Sequence, residues 1–136
     1  MAKMKTPSLN CKIELLCSVN PSEDPSKVES AIKNIFPNCK IENQKFSILG
    51  ISNDLHSLEK VQDNIHSMRS QRIYRRTLEK NSNHNSTWFY LNKQAAYAEK
   101  IAICEESDES PLGPIKVVLT STNIDRIIDW LIYEEE

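Results

Sequence analysis

Cys11, Ile13, Leu15, Cys17 and Val19 alternate with polar neighbours such as Lys12 and Glu14, which is the period of a strand with one buried face. The strand is expected to end at Asn20-Pro21. Asp24 then offers a side-chain acceptor to a helix N-terminus, and Pro25 suits the first helical position. Val28, Ala31, Ile32, Ile35 and Phe36 recur at helical spacing until Pro37 stops them. A second β region is expected from Cys39 to Leu49, interrupted near Asn43-Gln44 and closed by Gly50. From about Asp54, with Ser52 or Asn53 as cap, the stripe Leu55, Leu58, Val61, Ile65 and Met68 predicts another helix.

The polar run 81–86 reads as a loop, after which 87–91 and 101–104 read as strands. Glu105 to Glu109 and Pro111-Leu112-Gly113-Pro114 form a long turn before a last strand, 115–119. Asn123 can cap a final helix that buries Ile124, Ile127, Ile128 and Leu131 and leaves Asp125, Arg126 and Asp129 to solvent. No repeat or linker divides the chain, and strands and helices do not alternate as in a doubly wound sheet. The predicted class is α+β, a mixed or antiparallel sheet with helices packed on one face in two layers. One domain is expected over 1–136, with 1–9 a flexible leader and 133–136 an acidic tail.

A chain of 136 residues with 39% hydrophobic and 26% charged positions is ordinary for a soluble globule. No apolar run approaches the about 20 residues that span a bilayer, so no membrane association is expected. The early lysines have no apolar segment behind them, which predicts no secretory signal and a cytoplasmic location. Cys11, Cys17, Cys39 and Cys104 match neither zinc-ligand spacing nor a disulfide framework, so they read as reduced, buried thiols. Charge is divided unevenly. Residues 1–104 carry a net +5 and residues 105–136 a net −7, so any attraction to nucleic acid must come from a local surface.

Familiar catalytic constellations are missing. With glycine only at 50 and 113, a phosphate-cradling Gly-rich loop cannot be built. His56, His66 and His84 lack the paired spacing of a helical metal site, and there is no GxSxG elbow. Residues 105–109 lack the glycine and spacing of a calcium loop and read as a solvated hairpin tip. Asp125 and Asp129 stand one turn apart, but on a polar helix face they read as solubilising. The expectation is a non-enzyme without cofactor, metal or small-molecule ligand.

One charge pattern stands out. Arg69, Arg72, Arg75 and Arg76 fall within eight residues, and Lys80 follows with only Glu79 opposing. The planar guanidinium can bind two phosphate oxygens at once and keeps its charge, and Tyr74 within the cluster could stack on an unpaired base. At about 100° per residue, Arg69, Arg72, Arg76 and Lys80 continue the apolar stripe of Leu58, Val61 and Ile65. A straight helix over 54–80 would bury four charges at prohibitive cost. A break near 66–71 is therefore expected, or else a helix running beyond the edge of the core. The simpler reading of the cluster is a solvated or ion-paired helix, with Glu134 to Glu136 among the possible partners.

Several segments add a likeness to this picture: Asn20-Pro21-Ser22-Glu23-Asp24-Pro25 with Lys27-Val28, Asn34-Ile35-Phe36-Pro37, Leu58-Glu59-Lys60, Leu91-Asn92-Lys93-Gln94-Ala95-Ala96-Tyr97, Pro111-Leu112-Gly113-Pro114-Ile115 and Ile128-Asp129-Trp130-Leu131. Over nearly its whole length the chain resembles an archaeal family whose members are labelled RNA-binding proteins or predicted exosome subunits. The resemblance implies a fold similar to the ribosomal protein that holds 5S ribosomal RNA, and a homodimer. Asn92, Lys93 and Gln94, in the most specific of these segments, could donate to RNA phosphates or 2′-hydroxyls. Alternatively they cap a turn between strands and help set a subunit contact. Trp88, Phe89 and Tyr90 could form a stacking platform, but alternation sets Phe89 opposite the other two.

The leading reading is a non-catalytic RNA- or ribosome-associated protein that uses Arg69, Arg72, Arg75, Arg76 and Lys93 on the backbone. The second is a dimeric interaction or scaffold protein without RNA affinity, which the acidic final third favours.

Overall fold

The computed structural model describes residues 6–133. Its strands are β1 (Lys12–Ser18), β2 (Lys40–Asn43), β3 (Ser47–Ser52), β4 (Ser86–Leu91), β5 (Ile103–Cys104) and β6 (Ile115–Thr120). They form one six-stranded sheet in the order β2-β3-β1-β6-β4-β5, and every pairing is antiparallel. The helices are α1 (Pro25–Ile35), α2 (Glu59–Ser67), α3 (Gln71–Lys80), α4 (Lys93–Tyr97) and α5 (Ile124–Leu131). The class is α+β.

Alternation decides which side of the sheet is covered. Ile13, Leu15, Cys17, Ile48, Phe89, Leu91, Ile115, Val117 and Leu119 turn to one side and merge with the apolar faces of the helices into a single core. The other side carries Lys12, Glu14 and Leu16 of β1, Leu49 and Ile51 of β3, Lys116 and Val118 of β6, and Trp88 and Tyr90 of β4, all half-buried or exposed. Leu16 and Ile51 remain 42% and 41% exposed, so this face is open. Burial also explains the thiols. All four cysteines are free and buried, and loss of solvent pushes Cys11 and Cys17 up to about 11.

Asp24 caps α1 by accepting from the Ser26 N–H at 3.0 Å, as its position before Pro25 predicts. Elsewhere local signals were overridden. Gly50 lies inside β3 opposite Leu15 rather than closing the strand, because a side chain there would meet Leu15. Asp54, not Ser52 or Asn53, caps a 3-10 turn (Leu55–Leu58) that leads into α2, accepting from the His56 N–H at 2.9 Å. Asn123 stands at the start of α5 without a side-chain cap bond. The expected strand at 101–104 shrinks to two residues, and α4 is a helical turn where only a turn between strands was foreseen.

The predicted break is present. Arg69 adopts φ +52°, and the Ser70 N–H bonds back to the Ile65 carbonyl at 3.0 Å, which ends α2 and restarts the helix as α3. Met68, expected on the buried stripe, falls at this break and is 68% exposed. Of the expected leader 1–9, residues 1–5 lie outside the described residues; Thr6 donates to Glu59 at 3.1 Å and Leu9 packs on the core. At the other end Tyr133 stacks on His66 at 5.3 Å, while Glu134 to Glu136 lie outside the described residues.

Candidate nucleic-acid interface

The break rotates the basic residues away from the core. In α3 the buried positions are Tyr74, Thr77 and Leu78, so Arg72, Arg76 and Lys80 point outward, and Arg69 is exposed at the break itself. Tyr74 is therefore unavailable for stacking on a base. It is 1% exposed, meets Phe89 edge-to-face at 5.6 Å, and burial raises its hydroxyl above the ordinary tyrosine range. Two bonds dock α3 on β4: Thr87 Oγ1 donates to the Leu78 carbonyl at 2.6 Å, and Asn81 Nδ2 donates to the Trp88 carbonyl at 2.9 Å.

Two of the arginines are already engaged. Arg75 reaches Asp129 at 3.4 Å, and Arg76 pairs with Glu105. Glu105 is thus an ion-pair partner of α3 rather than a purely solvated tip residue. Both pairs are largely exposed, where such contacts are worth about 0–1 kcal/mol, so a phosphate can displace either carboxylate.

β4 contributes the stacking groups that Tyr74 does not. Phe89 enters the core, whereas Trp88 and Tyr90 stand on the open face with ring centroids 4.9 Å apart. Lys116, opposite Tyr90 in the β4–β6 register, places its ammonium 4.6 Å from the centroid of the Trp88 ring. A cleft of about 360 Å³ joins these rings to the C-terminal half of α3, lined by Arg76, Lys80, Trp88, Tyr90, Glu105 and Glu106 among others. Sequence reasoning missed Lys116. Alternation in 115–119 marks it as an outward residue, but its place over Trp88 depends on a register that local sequence does not encode.

Asn92, Lys93 and Gln94 belong elsewhere. Asn92 caps α4, its Oδ1 accepting from the Ala95 N–H at 2.9 Å, which is the capping alternative. Gln94 is exposed and reaches the Pro111 carbonyl at 3.5 Å. Lys93 is fully buried, and its ammonium binds Glu23 at 3.0 and 3.1 Å and the Ser18 and Leu112 carbonyls at 2.9 and 2.8 Å. With its donors consumed in the interior, Lys93 cannot present them to a phosphate here, which corrects its place among the backbone contacts.

A family described as RNA binding matches residues 12–121. The chain is 39% identical over 120 residues to a UPF0201 protein of Methanothermobacter thermautotrophicus, covering 88% of this chain and 89% of the relative. It is 40% identical over 125 residues to one from Sulfurisphaera tokodaii, covering 88% and 86%. The chain belongs to the UPF0201 family. A UPF0201 crystal structure superposes with a TM-score of 0.77 at 30% identity, over 90% of this chain and 94% of that one. The UPF0201 protein of Methanococcus jannaschii gives 0.76 at 28% identity, over 92% and 95%. The UPF0201 likeness thus runs through both α3 and β4, two of the elements that line the cleft. Among the described residues no helix is long and apolar enough to cross a membrane.

Proposed function

We propose that the protein is a non-catalytic RNA- or ribosome-associated protein that holds the nucleic-acid backbone with the outer face of α3. The observation that carries this reading is the break at Arg69, which leaves Arg69, Arg72, Arg76 and Lys80 exposed, with Arg76 and Lys80 in one cleft with Trp88 and Tyr90. The RNA-binding description of the matching family agrees with it. The test is fluorescence anisotropy with RNA across a salt series, comparing wild type with a variant carrying Arg69→Ala, Arg72→Ala, Arg75→Ala and Arg76→Ala. Binding that weakens with salt and is reduced in the variant supports the reading. No binding by folded wild type at low salt overturns it.

A second reading, that the protein is a homodimer, rests on a different part of the open face. A groove of about 520 Å³ over β1, β2 and β3 is lined by Leu16, Leu49 and Ile51, flanked by Glu14, Lys40 and Glu42. An apolar strip flanked by charges of both signs can meet a second copy of itself about a two-fold axis. Leu16→Asp should make the protein monomeric in light scattering if two copies meet here. A wild-type monomer would remove this reading and leave the first intact.

A further inference from the structure

A row of cations explains attraction to any phosphate backbone, paired or unpaired, and so leaves Trp88 and Tyr90 without a role. Both rings lie on the solvent side of the sheet, while the aromatic residue between them, Phe89, fills the core. They line the cleft together with Arg76 and Lys80. We infer that this cleft takes an unpaired RNA nucleobase, stacked on Trp88 or Tyr90, with its flanking phosphates on Arg76, Lys80 and Lys116.

The inference rests on the RNA reading above and adds the class of RNA. Every base has a π-face that an aromatic ring can cover, and in a duplex both faces are already covered by neighbouring bases. A cleft of about 360 Å³ is within the range of pockets that hold small ligands. Charge complementarity points the same way. Arg76 and Lys80 balance Glu105 and Glu106 in the lining of the cleft, Lys116 over Trp88 adds a third cation beside it, and Glu105 holds Arg76 by a surface ion pair that a phosphate can replace. The Lys116 ammonium lies over the Trp88 ring, 4.6 Å from its centroid, so a base that stacks on that face takes its place and frees the flexible lysine to meet the nucleotide's phosphates.

The chain provides its own reporter. It has two tryptophans, and Trp130 is 2% exposed, so Trp88 is the one an added quencher or base can reach. Wild type is titrated with a short single-stranded RNA and with a fully paired duplex of the same length, following anisotropy and tryptophan emission together. The expected result is binding about tenfold tighter to the single strand, accompanied by quenched emission, since one stacked base contributes about 1–3 kcal/mol. Trp88→Leu and, separately, Tyr90→Leu should reduce that preference, weakening single-strand binding more than duplex binding. Equal affinity for both RNAs with unquenched emission overturns the stacking site but leaves the basic-helix reading standing. Failure to bind either RNA overturns both. The emission result needs no variant, so it decides the matter even if a substitution impairs folding.

Discussion

Glu23 and Lys93, 70 residues apart in the chain, form an ion pair in the interior, with the ammonium 3.0 and 3.1 Å from the two carboxylate oxygens. Their side chains are 5% and 0% exposed. The carboxylate also accepts from the Asn20 N–H and Nδ2, both at 2.9 Å, and from the Tyr97 hydroxyl at 3.3 Å. Asn20 Nδ2 and Lys93 share the Leu112 carbonyl as well. The loop before α1, the start of α4 and the 110–113 turn are therefore fastened at one point. These are three of the segments that carry the family resemblance, and here their polar residues hold the fold together.

Removing one partner should be costly. Lys93→Met leaves the Glu23 carboxylate buried beside an apolar chain, and breaking a pair of this kind costs about 3–5 kcal/mol. Urea denaturation of the variant should show a loss of that order. RNA affinity of the folded variant should match wild type, because Lys93 faces inward. Full stability with lost RNA binding would return Lys93 to the list of contacts.

The pair also sets an acid limit. Burial by itself would raise the Glu23 carboxyl, but the donors from Asn20 and the Lys93 ammonium outweigh it and hold the group below the ordinary glutamate range. A carboxylate lowered by folding adds stability above its unfolded pKa, about 4.3, and that stability is lost as pH falls toward the folded value. Denaturation midpoints should therefore drop as pH falls through this window. Glu23→Gln should lower stability at neutral pH and flatten the drop. An equally steep acid slope in the variant would assign it to other carboxylates.

The acid-sensitive pair was invisible in the sequence, whereas much of the frame around it was legible. Alternation at Cys11 to Val19 and the Asp24-Pro25 start of α1 are local signals, and they read correctly. The break before α3 was legible for an energetic reason, since four charges could not follow Leu58, Val61 and Ile65 into the core. What failed was long-range. Glu23 and Lys93 each look like surface residues, and only the antiparallel meeting of β1, β4 and β6 buries them together. Trp88 beside Lys116 depends on register in the same way, as does Gly50 opposite Leu15.

Gly50 is a case in which register dictates the residue. A Cβ there would stand 2.9 Å from Leu15 Cδ1 and 3.2 Å from its Cβ and Cγ, closer than ordinary van der Waals contact. Gly50→Ala should therefore destabilise by about 1–3 kcal/mol, the usual cost of overpacking. Combining it with Leu15→Ala should cost less than the sum of the two single changes, because the second makes room for the first. Strict additivity in thermal denaturation would mean that the methyl group is accommodated elsewhere.

The last expectation concerns the carboxylate beside the cleft. Glu105 pairs with Arg76, and in doing so it neutralises one cation on the face proposed to meet phosphate. Glu105→Gln removes that competition without removing the donor. An exposed pair of this kind is worth about 0–1 kcal/mol, so RNA affinity at low salt should rise by up to about fivefold. The dependence of affinity on salt should steepen at the same time, since one more phosphate contact releases one more counterion. Arg76→Gln should do the opposite on both measures, and in the double variant the gain from Glu105→Gln should largely vanish because no guanidinium remains to be released. Unchanged affinity in Glu105→Gln, with Arg76→Gln also neutral, would place the phosphate path along Arg69 and Arg72, away from the cleft.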